Sequence, residues 1–281
     1  MPSDFTKLAV LLAGHVDDLQ RLALSWSREV AFLFSEKDRE LVILSEMMAQ
    51  DFGQPTLTAD NSRKLAKVKE MIVSLRDDGQ TKAVEFLQKQ LDSLVRNEDK
   101  FNRAWLLALF VFLGKPKPKL KPLTEEQYSG IRKYGMFGDK AITEIFDKVA
   151  LADVERVYSI VTKRIYGQID QKQMRVALDK ALATSQYQVI LNSTMIVNGV
   201  SNDTAKAVAA RNDDISDGLM WVTEMDERVC SDCDTLEGEV FAIGDAPGCP
   251  LHPNCRCHLV PVTMAFAEEI RQTIKASGGA Q

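Results

Sequence analysis

The spacing of apolar residues predicts helices over most of the chain. Between residues 62 and 95 they recur every three or four positions in two runs, Leu65, Val68, Ile72 and Leu75, then Val84, Leu87, Leu91 and Leu94. This is the period of a helix with one buried face. Gly79 lies between the runs and predicts a stop between two helices. Similar stripes predict helices in the first 50 residues, followed by a loop at 51–61.

A second helical region is predicted after residue 123. Apolar stripes run through 142–165, and Gly167 then interrupts the pattern. Asp170 and Gln173 have the spacing of a capping box, which predicts that a new helix begins there. Asn198 and Gly199 predict its end, and a short further helix is expected to reach about residue 211.

The pattern changes at residue 218, where apolar and polar residues begin to alternate. Three short segments, LMWVTEMDERV, GEVFAIG and CHLVPV, have this alternation and are bounded by turn-forming residues. Alternation over a few residues predicts β-strands. A small β module is therefore expected after the helices.

All five cysteines of the chain fall within this module. Cys230 and Cys233 form one close pair, and His252 with Cys255 forms another after an 18-residue interval. Two such pairs fit the tetrahedral coordination of zinc. A disulfide framework would spread its cysteines over the fold and use an even number. The cluster thus predicts one Zn²⁺.

The identity of the four ligands stays open at this point. Cys257 competes with Cys255, because residues two apart in a strand point to the same side. Cys249 is expected to be a bystander, and His258 is expected at the surface or behind a ligand. More donors than one ion needs indicate closed coordination, so we expect a structural zinc that stabilises a module with its own separate core.

No sequence motif indicates catalysis. The chain has no phosphate-binding loop, dinucleotide-binding glycine motif, H-E-x-x-H or G-x-S-x-G. His15 is expected to be a surface residue, and Glu224, Asp226 and Glu227 are expected to be solvated turn formers. We therefore predict that the protein is not an enzyme.

Charge narrows the possible partners. The net charge is -5, with 35 basic and 40 acidic residues among 281, which argues against a protein that coats nucleic acid. Lysine and proline alternate over 115–122, which predicts an extended spacer; the alternative is a phosphate contact through Lys115, Lys117, Lys119 and Lys121. The longest apolar run, 105–113, is too short to cross a bilayer and predicts a buried helix, so no membrane partner is expected.

The sequence thus predicts a mainly α fold with a small C-terminal zinc-binding β module. The predicted regions, in chain order, are an N-terminal helical region (1–114), a Lys/Pro linker (115–123), a middle helical region (124–217), the zinc-binding module (218–262) and a C-terminal helix and tail (263–281).

The module also carries a family resemblance. The segment WVTEMDERVCSDCDTLEGEVF at 221–241, followed by HPNCRC at 252–257, is similar to the C-terminal signature of phage Mu F-like minor head proteins. The stretch MFGDK at 136–140, followed by helix, Gly167 and helix, also resembles this family. The resemblance covers about residues 124–262.

The resemblance implies a minor head protein of a tailed bacteriophage or prophage. Such a protein lies near the portal, acts in head morphogenesis and takes part in DNA packaging or ejection. Its expected partners are the portal protein, the major capsid protein and phage DNA. Its expected location is the virion head, and the host cytoplasm during assembly. The alternatives are a zinc-dependent DNA-binding module and a metal-assisted nuclease.

Overall fold

The computed structural model describes residues 2–51, 59–134, 142–224, 226–263 and 265–267. Most of the described residues are helical. The longer helices are α1 (Pro2–Ser35), α2 (Asp38–Asp51), α3 (Ala59–Phe112), α4 (Glu125–Tyr134), α5 (Ile142–Ile165) and α6 (Gln171–Arg211). A single turn, α7 (Ser231–Asp234), lies among the strands β1 (Gly218–Val222), β2 (Val240–Phe241) and β3 (His258–Val262). The predicted fold class is confirmed.

Some predicted features lie outside the described residues. These are most of the loop at 51–61, the MFGDK stretch and all but the beginning of the C-terminal helix. Among the helices that are described, none combines the length and the apolar character that crossing a membrane requires.

The chain forms two compact units, each built from separated stretches of sequence. Unit 1 contains Met1–Leu24, Lys89–Lys140 and Thr194–Gln281, and unit 2 contains Ser25–Gln88 and Ala141–Ser193. Helices α1, α3 and α6 each contribute residues to both units. The predicted regions are continuous stretches of sequence. The two units are defined by spatial contacts, so each combines stretches that are far apart in the sequence.

Helix α3 continues through Gly79, so the predicted stop there is wrong. A Cβ atom built on Gly79 would lie 2.5 Å from the carbonyl oxygen of Phe34 and 3.1 Å from that of Leu33. Glycine is therefore needed at this position because the end of α1 passes too close for any side chain. Gly79 permits the close packing of α1 against α3, and α3 continues through it.

Helix α6 also continues through a predicted end, at Asn198 and Gly199. Its beginning is as predicted. Gly167 has a φ of +68°, and the backbone N–H groups of Asp170 and Gln173 donate to each other's side chains at 2.9 and 2.8 Å. This reciprocal pairing is a capping box, and it satisfies two backbone donors that a helix start leaves free.

The core of unit 2 combines an apolar cluster with a buried ion network. Leucine, isoleucine and valine side chains of α2, α3, α5 and α6 form the apolar part. Arg76 is 1% exposed and pairs with Asp38, at 2.5 Å, and with Asp153. It also donates to the carbonyl oxygen of Phe34 at 3.2 Å. Because burial disfavours a charged carboxylate, the pKa of Asp38 is raised. Arg76 therefore compensates two carboxylates that would otherwise be costly to bury.

The sheet in unit 1 is antiparallel, with strand order β2-β1-β3. Leu219 pairs with Phe241 on one side and with Pro261 on the other. The indole N–H of Trp105 in α3 donates to the carbonyl oxygen of Pro261 at 2.9 Å. The predicted buried helix at 105–113 thus packs on the sheet at its first residue, which is 2% exposed.

The Lys/Pro segment connects the end of α3 to α4, which packs against α3. Tyr128 of α4 donates to the carboxylate of Asp99 at 2.7 Å, and Arg96 pairs with Glu125 at 3.0 Å. Leu123 is buried at the end of the segment. The segment therefore joins two helices that pack together in unit 1.

The contact at Gly79 gives a testable prediction. In an open helix position, Gly→Ala stabilises a protein by about 1 kcal/mol. We expect Gly79→Ala to lower the free energy of unfolding instead, because the new Cβ would collide with the backbone of α1. Gly130→Ala in α4 is the matched control, since nothing lies within 4 Å of its added Cβ. Urea denaturation of both variants checks this, and equal stabilisation by both substitutions would contradict it.

Candidate metal centre

Two short segments bring the predicted ligands together. Cys230 is the N-cap of α7, and its sulfur accepts a hydrogen bond from the backbone N–H of Cys233 at 3.4 Å. This turn aims both sulfurs to one side. His252, Cys255 and Cys257 come from the segment that leads into β3. All five residues lie in unit 1.

The donor atoms form two groups that share Cys233. Cys230, Cys233 and His252 make up one group, and Cys233, Cys255 and Cys257 the other; within each group all atoms lie within 4.8 Å of one another. The Nε2 atom of His252 lies 3.0 Å from the Cys230 sulfur and 3.2 Å from the Cys233 sulfur.

These spacings fit a tetrahedral metal ion. With Zn–S bonds of about 2.3 Å, two sulfurs on one zinc ion lie about 3.8 Å apart. The sulfurs of Cys233 and Cys255 are 3.7 Å apart. The contacts of His252 with two sulfurs are somewhat shorter than a tetrahedron requires, so binding needs only a small outward shift of the ring. The residues present therefore fit a zinc ion.

A backbone contact orients the imidazole of His252. Its Nδ1 atom lies 2.9 Å from the carbonyl oxygen of Pro253. A carbonyl oxygen only accepts hydrogen bonds, so Nδ1 carries the proton and the lone pair of Nε2 faces the sulfurs. Metal-binding histidines are commonly held in this way.

The sulfurs differ in how readily they become thiolates. The neighbouring side chains of Cys249 and Cys257 lower the pKa of Cys255. Interaction with Cys255 raises the pKa of Cys257, and burial raises the pKa of Cys233 to about 12. A bound metal ion would stabilise each ligand as a thiolate. The spacing of 3.7 Å between the sulfurs of Cys233 and Cys255 is that of two ligands on one ion, so we take Cys255 as the preferred fourth ligand and Cys257 as its competitor.

Helix α6 holds the segment that carries the last ligands. The side-chain amide of Asn198 donates to the carbonyl oxygen of Cys255 at 3.2 Å, and that of Asn202 to the carbonyl oxygen of Cys257 at 3.3 Å. The side-chain oxygen of Asn202 accepts from the backbone N–H of Leu259 at 2.6 Å. Asn202 thus pairs with the backbone as a neighbouring strand would.

Helix α1 contacts the same segment through Gln20. Its side-chain nitrogen lies 3.4 Å from the carbonyl oxygen of Arg256 and 3.2 Å from Nε2 of His258. His258 is buried, which lowers its pKa to about 4 and keeps the ring neutral. Its Nε2 therefore accepts the hydrogen bond from Gln20. Of the two positions expected for His258, the surface is excluded, because the ring is buried against Gln20 of α1.

An ion pair connects the two halves of the signature. Arg256, between the candidate ligands Cys255 and Cys257, donates two hydrogen bonds to Asp226, one of them at 2.8 Å. Arg256 lowers the pKa of Asp226. Asp226 is partly exposed and accepts from the backbone N–H of Arg228 at 3.1 Å, as expected of a turn former, and its ion pair also orients the ligand segment.

The other predicted candidates lie outside the donor cluster. Cys249 is buried, and its thiol donates to the carbonyl oxygen of Cys257 at 3.0 Å. His15 stacks on Phe101 with the ring centroids 3.3 Å apart and pairs with Glu98 at 3.2 Å. It is therefore partly buried, contrary to the predicted surface position.

The lysines of the linker are not equivalent. Lys115, Lys117 and Lys119 are exposed. Lys121 pairs with Asp214 at 3.0 Å, and its backbone exchanges two hydrogen bonds with Asn212. Three of the four predicted lysines are therefore available to a phosphate without breaking an ion pair.

The predicted module shares its core with the helices. Ala209 of α6 packs in one cluster with Leu219, Trp221 and the buried cysteines. The expectation of a separate core is wrong, because α6 supplies both apolar contact and hydrogen bonds. The sequence patterns did not predict that Gln20, Asn198 and Asn202 contact the ligand segment. The spacing of four between the two asparagines places them on one helix face, but only the fold shows what that face contacts.

Comparison with known families agrees with the sequence resemblance. The family model described as "Phage Mu protein F like protein" matches residues 161–260. The matched segment runs from the end of α5 through α6 and the metal centre into β3. The resemblance predicted from the sequence is confirmed for this segment. Searches of curated proteins and of solved structures found no match.

The donor set predicts the metal content of single variants. We expect one equivalent of zinc in the purified protein, and its loss in Cys230→Ser and Cys255→Ser, because each removes a thiolate ligand. Cys249→Ser is the matched control and should retain the metal, as should Cys257→Ser. Elemental analysis after purification without chelator measures this. Retention by Cys255→Ser together with loss by Cys257→Ser would identify Cys257 as the ligand, and wild-type protein without metal would contradict the centre.

The contacts of Asn202 predict an effect on both stability and metal affinity. Asn202→Leu keeps the branched shape of the side chain but leaves two buried backbone groups of the ligand segment unpaired. We expect a loss of about 2 kcal/mol or more in the free energy of unfolding. Zinc affinity should fall about tenfold or more, because the ligands lose their support.

Thr204→Val is the matched control for this substitution. Thr204 is buried on the same helix, but its hydroxyl donates to the carbonyl oxygen of Val200 at 2.7 Å within α6. Denaturation and competition with a zinc chelator measure the two effects. An equal loss of zinc affinity in both variants would show that Asn202 has no specific role.

Proposed function

We propose that this chain is a minor head protein of a tailed bacteriophage or prophage and that it has a structural role in head morphogenesis. The observation that carries this proposal is the match of residues 161–260 to the Mu F-like family. The matched segment contains all the candidate ligands and the two asparagines that hold them. Its distinctive chemistry is therefore the metal centre and the support of that centre by α6.

The donor set supports a structural metal ion. A catalytic zinc site keeps one position open for water or substrate. Here five side chains from two segments compete for four positions, and three of the sulfurs are buried. When bound, zinc would link the α7 turn to the segment that enters β3, and it would supply the bond energy for that link. The chain's own residues orient the ligands, and we propose no enzymatic step.

The proposed location is the portal region of the virion head. The portal protein and the major capsid protein are the proposed partners, and the chain would meet them in the host cytoplasm during assembly. An acidic chain with a mostly helical framework is compatible with packing against other proteins. A role in DNA packaging or ejection would follow from this location.

A second candidate function is a direct DNA contact through the linker. Lys115, Lys117 and Lys119 are exposed and alternate with proline in an extended segment. Each lysine bound to a phosphate would contribute to the salt dependence of binding. The spacer interpretation remains the preferred one, because Lys121 and Leu123 attach the segment to unit 1.

The test is to locate the protein in assembled heads. We expect it to co-purify in few copies with heads assembled from the portal and capsid proteins encoded with it. The Cys233→Ser variant should incorporate poorly, because loss of the shared ligand loosens the family segment. The control variant Cys249→Ser should incorporate normally. A soluble, folded protein that is absent from purified heads would contradict the proposal.

The same assembly system separates the two uses of the linker. Replacing Lys115, Lys117 and Lys119 with Gln keeps the prolines and the reach of the segment. A spacer should tolerate this change with normal incorporation and normal DNA content. Normal incorporation with reduced DNA content would instead establish the lysines as a DNA contact.

A further inference from the structure

Unit 1 contains an apolar cavity of about 520 Å³ that the metal centre does not use. Its walls are Leu8, Leu12 and Val16 of α1, Trp105 of α3, and Met220 and Val222 of β1. Strand β1 separates this cavity from the cysteines. Its alternate residues Leu219 and Trp221 pack with the cysteine cluster on the opposite face.

The entrance of the cavity lies along α1. Ala9 and Ala13 belong to the lining and are exposed, whereas the larger lining residues of the same helix, Leu8, Leu12 and Val16, are buried. Small side chains at the rim leave the apolar interior accessible from solvent. A cavity of this size and character has the dimensions of a ligand site.

Two carboxylates give the cavity a polar end. Glu237 and Glu224 both belong to the lining. Glu237 accepts a hydrogen bond from the backbone N–H of Thr223 at 2.5 Å. The Oε1 atom of Glu224 is buried and has no hydrogen-bond partner among the described residues.

No described cation neutralises Glu224 through a hydrogen bond. The charge of Arg256 acts on it, but Arg256 donates its hydrogen bonds to Asp226. A buried carboxylate oxygen without a partner is costly, and a Lys or Arg side chain is the group that best compensates it. A ligand that complements this cavity is therefore apolar and carries one positively charged group. The apolar part would fit the walls, and the charged group would fit the acidic end.

We propose that this cavity is the docking site for a basic, apolar peptide segment of a partner protein. Two or three aliphatic or aromatic side chains of that segment would fill the cavity, and an adjacent Lys or Arg would pair with Glu224. Anchoring of a few side chains in such a pocket accounts for most of the binding energy in many protein interfaces. The proposal does not depend on the role in phage heads.

The test uses two pools of short capped peptides and the full chain with its metal. The first pool carries Leu, Ile or Phe at two positions followed by Lys or Arg, and the second has Glu in place of the basic residue. We expect the basic pool to bind and the acidic pool not to bind, as measured by retention on the immobilised protein and then by calorimetry of the retained peptides. Glu224→Gln should weaken binding about tenfold or more, because a charge-assisted hydrogen bond is lost.

The variants at the entrance of the cavity provide matched controls. Ala13→Phe should abolish binding by blocking the entrance, and its exposed position should let the protein fold. Val10→Phe is the control, since Val10 is 67% exposed on the same helix but does not line the cavity. Failure of the basic pool to bind, or equal binding by the Ala13→Phe and wild-type proteins, would overturn the proposal.

The chain's own C-terminal segment is the alternative occupant. A protein that ends after Ala267 should bind the basic pool with unchanged affinity if the occupant comes from a partner. Binding that appears only after this truncation would assign the cavity to residues 268–281 and overturn the proposal.

Discussion

The pairing of Asn202 with the backbone of the ligand segment is the interaction on which the metal centre depends. Its amide donates to the carbonyl oxygen of Cys257 and accepts from the N–H of Leu259. One helical turn earlier, Asn198 donates to Cys255. The segment thus enters β3 in one orientation, set by a long helix. Both candidates for the fourth ligand, Cys255 and Cys257, are therefore held in position by α6.

Helix packing stabilises the small sheet, and a metal ion bound by the cysteine cluster would add to this. A sheet with strands of five, two and five residues buries too little apolar surface to be stable alone. On one face, Leu219 and Trp221 pack with the cysteines. The edge strand β3 is fixed to the helical framework by the hydrogen bond from Trp105 to Pro261. Loss of the contacts with the cysteine cluster, or of those with the helices, would therefore weaken the sheet. The module depends on the rest of unit 1 for its stability.

The sequence predicted the elements that local signals determine. The alternation of residues predicted the three strands, the capping box predicted the start of α6, and the two close pairs predicted donor groups that the structure brings together. It did not predict that α3 and α6 continue through Gly79 and Asn198. The local cost of a poor helix former is about 1 kcal/mol or less, so tertiary contacts can outweigh it. The close approach of Phe34 and the bond to Cys255 are such contacts, and neither is visible in a local pattern.

The excess of cysteines has a physical explanation in the charge of the site. Three thiolates and a neutral imidazole around Zn²⁺ would carry a net negative charge, and the buried Cys233 and Cys255 would hold part of it. The neighbouring Cys249 and Cys257 lower the pKa of Cys255, which favours its charged form. The thiol of Cys249 donates to the carbonyl oxygen of Cys257, which also accepts from Asn202. Cys249 is therefore better understood as a hydrogen-bond donor that supports the ligand segment than as a ligand for a second ion.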